Sequence, residues 1–100
     1  MNLTIINEDN AVYVDGIALA GLDLSTTGIP NNVHALQWKT NLGWIEFKDN
    51  PDFTKDQNEV INELPIWANN CVTVYNNRVA EIQAQLASQT QPISTGTQTL

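Results

Sequence analysis

The sequence predicts an α+β fold: a small N-terminal antiparallel β-sheet of about five short strands, then one long C-terminal α-helix and a flexible polar tail. Three observations carry this reading. Short runs of β-branched and aromatic residues, separated by turn residues, fill the first half of the chain. Apolar residues recur at alternating steps of four and three from Ala68 onward. The last dozen residues have neither charge nor periodicity. Residues 1–88 therefore make a single small domain with its helix at about 65–88, and residues 89–100 form the tail.

Leu3 to Ile6 and Ala11 to Val14 read as the first two strands. They are joined by the polar turn Asn7 to Asn10, whose short side chains bond readily to nearby backbone. Asp15 and Gly16 then supply a tight turn into a third run, Ile17 to Ala20. In the loop that follows, Leu22, Leu24 and Ile29 are expected to tuck beneath the sheet edge, and Pro30 holds Ile29 extended. The next hairpin is the centre of the chain: Val33 to Trp38 and Trp44 to Phe47 flank the connector Lys39 to Gly43, where Asn and Gly suit positive φ. Simple alternation puts Val33, Ala35 and Gln37 on one face of the first strand and His34, Leu36 and Trp38 on the other. In the second strand Trp44 and Glu46 oppose Ile45 and Phe47. Neither face is wholly polar, so each needs a cover, either the chain itself or a partner.

Lys48 to Asn58 is rich in charge, amide and proline and reads as an exposed connection anchored by Phe53. Asn58 to Leu64 places Val60, Ile61 and Leu64 on one side of a single helical turn, and Pro65 suits the first position of the long helix. Along that helix Ala68, Val72, Tyr75, Val79, Ile82 and Leu86 form one stripe, widened by Trp67, Cys71 and Val74 in its first half only. The first half is expected to pack on the sheet. The second half either meets another helix or overhangs, since ~24 helical residues span ~36 Å, against ~17–20 Å for a typical strand.

Four basic residues, Lys39, Lys48, Lys55 and Arg78, stand against eleven acidic ones for a net charge of −7. They form no basic stripe, which argues against a nucleic-acid backbone as partner; the acidic excess favours solubility. No run approaches the ~20 apolar residues of a membrane span, and the N-terminus lacks the pattern of a secretory signal, so folding in a cytosol is expected. Cys71 has no second cysteine to pair with and, with His34 as the one histidine, cannot build a zinc site; it is expected as a small buried apolar residue. His34 would need a poised partner for acid–base work, and the sequence identifies none. The Asp49, Asp52 and Asp56 cluster lacks the spacing of a calcium loop. There is no phosphate-cradling glycine loop and no nucleophile elbow. No catalytic, cofactor-binding or metal residue is assigned, and the chain reads as non-enzymatic. The aromatics remain. Trp67 reads as core, whereas Trp38 and Trp44 are each either core residues or binding anchors. The candidate partner-binding set is Trp38, Trp44, Tyr75, Val79, Ile82 and Leu86.

Val12 to Gly16, Leu22 to Leu24, Ile29 to Trp38, Gly43 to Phe47 and Leu64 to Trp67 together resemble small proteins encoded beside tail-fibre genes in tailed bacteriophages, which look like tail-fibre assembly chaperones. The resemblance covers about residues 10 to 75, and Asn32 to Trp38 with Gly43 to Glu46 is its most specific part. It implies a non-enzymatic protein of the host cytoplasm that binds newly made fibre chains and assists their folding, trimerisation or attachment. It implies a trimeric fibre as partner. Self-association through the C-terminal helix is expected from its narrow second-half stripe rather than from the resemblance, and charge and hydropathy predict no nucleic acid and no membrane. A permanent structural component of the virion tail, a small adaptor or decoration protein, has the same sequence requirements and is the alternative.

Overall fold

Residues 1–49 and 57–94 are described by a computed structural model, with side chains to residue 88. Among these residues six strands form one antiparallel sheet: β1 (Asn2–Ile6), β2 (Ala11–Val14), β3 (Ile17–Leu19), β4 (Val33–Lys39), β5 (Leu42–Phe47) and β6 (Glu59–Ile61). Their spatial order is β3-β2-β1-β4-β5-β6. The helix α1 (Ile66–Ser94) lies across one face. The α+β class expected from the sequence is the one observed.

Local chemistry sets each hairpin. At the β2–β3 turn Asp15 and Gly16 both take positive φ, 50° and 84°, the pattern of the type I′ turn that matches strand twist. The Asp15 carboxylate also accepts the Asn2 backbone N–H at 2.8 Å. At the β4–β5 turn the positive angle falls on Thr40 (φ 62°), rather than on Asn41 or Gly43, and the Asn41 N–H donates to the Lys39 carbonyl at 2.7 Å. Left-handed backbone costs a residue with a Cβ roughly 1–2 kcal/mol, and Asn tolerates it better than a β-branched side chain. Thr40→Asn is therefore expected to raise the unfolding free energy by about 1 kcal/mol, seen as a higher urea midpoint at unchanged slope. An unchanged midpoint would mean that the angle carries no strain.

Residues 58–64 form no helical turn. Glu59, Val60 and Ile61 pair instead with Ile45, Trp44 and Gly43 of β5, making a sixth strand where about five were expected. The outer edge of β5 offers hydrogen-bonding groups, and two adjacent β-branched residues suit a strand; this tertiary opportunity outweighs the local helical spacing. The Phe53 anchor and the acidic residues Asp52 and Asp56 lie outside the described residues. Pro65 stands one place ahead of α1, its carbonyl accepting the Ala68 and Asn69 N–H groups at 3.0 and 3.2 Å. The backbone stays helical through residues 89–94, beyond the end expected near Ser88, and stops two residues past Pro92, which has no N–H for an interior helical bond. The rest of the expected tail lies outside the described residues.

The core sits between sheet and helix. Leu3, Ile5, Val12, Val33, Leu36 and Ile45 from the strands meet Ala68, Cys71 and Tyr75 from α1, with Leu22 and Leu24 of the β3–β4 loop closing one side. Ile29 packs against the same cluster, so the three loop residues lie where the sequence placed them. The loop is tied to the helix by the Asn70 side chain, which donates to the Thr27 carbonyl at 2.9 Å, while the buried Thr27 hydroxyl donates to the Leu24 carbonyl at 2.7 Å. Cys71 is buried as expected, and loss of water around it pushes its thiol pKa up.

Candidate partner-binding surfaces

One additional residue decides which face each central side chain takes. Val33 pairs with Phe47 and Ala35 with Glu46, so His34 is the extra residue of a β-bulge in β4. The bulge resets the alternation. Val33, Leu36 and Trp38 all face the helix, while Ala35 and Gln37 face away, which corrects the simple alternation expected for this strand. Asn7 holds the bulge open: its backbone N–H donates to the His34 carbonyl at 2.9 Å and its side chain to the Val33 carbonyl at 2.9 Å.

His34 Nδ1 and the Glu8 carboxylate lie 2.8 Å apart across the same bulge. Partial burial pushes the Glu8 carboxyl up, but the hydrogen bonds from His34 and from its own backbone, with the positive charges of His34 and Lys48, outweigh this and hold it below its usual 4.5. A carboxyl whose folded pKa is depressed adds stability that is present above the unfolded pKa and is lost as pH falls through the folded one. Glu8 is substantially exposed, so its contribution is about 0.5 kcal/mol or less. Accordingly Glu8→Gln is expected to unfold slightly earlier than the wild type at pH 6 and together with it at pH 3, by urea titration. A gap that widens toward pH 3 would contradict this assignment.

On the face turned away from the helix, the pairing register places Ala18, Tyr13, Thr4, Gln37, Trp44 and Val60 in one row crossing all six strands. The Thr4 hydroxyl donates to the Gln37 side-chain oxygen at 2.8 Å in the middle of the row. Around this polar centre the row exposes apolar and aromatic surface: Tyr13 is 40% accessible, Trp44 42% and Val60 72%. Leu42, exposed beside Trp44 on β5, extends the patch toward the β4–β5 turn. The Trp44 indole N–H donates to the Glu46 carboxylate at 2.8 Å, which fixes the ring on the surface. Such a surface, flat, aromatic and with its polar edge already hydrogen-bonded, is suited to burial against another apolar surface.

The six sequence candidates separate. Trp38, 9% accessible, faces the core and packs with the helix side. Tyr75 is buried and its hydroxyl donates to the Ile17 carbonyl at the β3 edge, at 2.9 Å. Val79 is partly buried against the core where the helix leaves the sheet, so Trp38 and Tyr75 serve the protein's own packing and Val79 does so in part. Trp44, Ile82 and Leu86 stay accessible, Leu86 at 57%. Tyr13, Leu42 and Val60 join the exposed sheet face without having been selected from the sequence. Their signal was available only once the bulge and β6 fixed the parity of each strand.

The helix follows one line across the sheet. Trp67 packs against the core beside Gly28, where an added Cβ would stand 3.8 Å from the Trp67 Cβ, and two turns later Tyr75 reaches the opposite edge strand, β3. Beyond Val79 the helix leaves the sheet, and the molecule measures 64 × 24 × 21 Å. Among the described residues no cluster of three or more His, Cys, Asp or Glu side chains is placed to hold a metal ion, and no helix is long and apolar enough to cross a membrane.

Fold and surfaces together define a small α+β protein with one closed face, one open aromatic face and a protruding helix. Compared with protein-family models, with curated proteins and with solved structures, the chain matches none of them.

Proposed function

We propose that this protein is a non-enzymatic tail-fibre assembly chaperone of a tailed bacteriophage, acting in the host cytoplasm on a fibre chain that has not yet trimerised. The observation that supports the reading most directly is the exposed row around Trp44, on the sheet face that the helix does not cover. A fibre chain awaiting its two partners exposes apolar surface and unpaired strand edges, and an open sheet face with fixed aromatics covers the former. The net charge of −7 keeps a complex of this kind soluble while its apolar parts are in contact. The resemblance in the central hairpin points to the same role.

Co-expression with the fibre encoded beside it tests the reading. The expected result is a larger yield of soluble trimeric fibre than without this protein; equal yields would remove the chaperone role. A permanent place in the virion tail would use the same surfaces, and mass spectrometry of purified particles separates the two: stoichiometric amounts mark a structural component, and scarcity marks a released assistant.

A further inference from the structure

The stripe that Ala68, Cys71, Val72 and Tyr75 turn toward the sheet does not stop at the sheet edge. It continues along the same side of α1 into Val79, Ile82 and Leu86, at the spacing of a helix-pairing seam, with Leu86 more than half exposed. From Val79 to Ser94 the projecting part is ~24 Å long.

Charge identifies what it fits. The helix holds one base, Arg78, and one acid, Glu81, paired with each other at 3.2 Å, so the whole net charge of −7 lies in the residues ahead of it. The positions bordering the seam are Asn76, Gln83 and Gln85, with Arg78 already neutralised. A seam meant for a charged foreign helix carries flanking charges that choose it. Amide flanks carry no such code, and because an amide both donates and accepts they are complementary to themselves. The occupant that meets this seam without repulsion is the same seam on another molecule.

We propose that the projecting half of α1 pairs antiparallel with the same segment of a second copy, burying Val79, Ile82 and Leu86 between two helices and holding the acidic sheets at opposite ends. In the parallel orientation two bodies of charge −7 would lie side by side. Antiparallel pairing separates them by about ten residues of helix, ~15 Å, well beyond the ~8 Å screening length at physiological salt. The partner's helix end then approaches Ile17, the exposed large apolar residue of the β3 edge. A contact of this length buries on the order of 1,000 Å² in total, at the lower limit for specific interfaces, so a micromolar dimer is expected.

This inference stands apart from the fibre reading, because it is measured on the chain alone. In sedimentation equilibrium from low- to high-micromolar concentration, the mass is expected to rise from 11.1 kDa toward twice that value. The dissociation constant should change less than about twofold between 0.15 and 0.5 M salt, since the charged bodies are already farther apart than the screening length. Ile82→Asp with Leu86→Asp should leave a monomer at every concentration with the sheet's circular dichroism unchanged. If that variant loses its fold, Gln83→Glu with Gln85→Glu decides instead: it keeps the apolar seam, adds like charge along it and should weaken the dimer at least fivefold. A constant 11.1 kDa, a trimer, or a dimer that tightens severalfold with salt would each overturn the proposal. A dimer that forms while fibre yield is unaffected would remove the chaperone role alone.

Discussion

Gly43→Ala is expected to lower the thermal midpoint by about 15 °C. Gly43 lies in β5 directly across from Trp38, with the indole against its backbone. A Cβ at this position would overlap the Gln37 carbonyl and stand 2.9 Å from Trp38 Cα and 3.0 Å from Trp38 Cε3. Two of those atoms belong to the backbone of β4, so a rotamer change in Trp38 does not relieve the clash; the two central strands must separate locally. Overpacking of this kind costs about 3 kcal/mol, and each kcal/mol is worth roughly 4–8 °C in a domain of this size. An alanine variant that melts with the wild type would show that Trp38 does not lie over residue 43, and that the register between β4 and β5 differs.

Trp44→Ala is expected to leave the melting midpoint within a few degrees of the wild type and, on the proposed chaperone role, to weaken fibre binding about 30-fold. The indole sits on the open face, where its N–H is satisfied by Glu46, a carboxylate that returns to water when the ring is removed. Its loss therefore creates no cavity in the core. At an interface the same ring would be a central aromatic anchor, and truncating such an anchor costs about 2 kcal/mol or more, which is the 30-fold loss. Calorimetric titration of purified fibre measures it. The contrast is Trp38→Ala, which should cost stability by emptying the core. Undiminished binding by a folded Trp44→Ala protein would move the fibre contact off the sheet face.

Most of the fold was legible because it follows from local chemistry. Asp15-Gly16 forms its two-residue turn without help, the β-branched runs pair around it, and the four-and-three spacing from Ala68 produces the helix. What escaped depends on contacts distant in sequence. β6 has three residues and exists because β5 offers it an edge. The His34 bulge is held by Asn7, from another hairpin, and one inserted residue reverses the face of everything before it. The fate of the two hairpin tryptophans turned on a single unread quantity, the loop length. With Thr40 and Asn41 alone in the turn, Trp38 falls across from Gly43 and Trp44 across from Gln37, so the two indoles must lie on opposite faces. A five-residue connector left that choice open. The candidate site was thus half visible: the helix seam and Trp44 came from spacing and residue type, whereas Tyr13, Leu42 and Val60 needed the assembled sheet.

The placement of Cys71 gives the molecule an internal clock. Its sulfur lies under the middle of the docked half of the helix, reached by no solvent and with its ionised form disfavoured. Alkylation with a maleimide can proceed only when that half of the helix lifts away, so the labelling rate counts those openings directly. A bound fibre chain or a second copy that steadies the helix will slow the count, and one that pries it loose will quicken it.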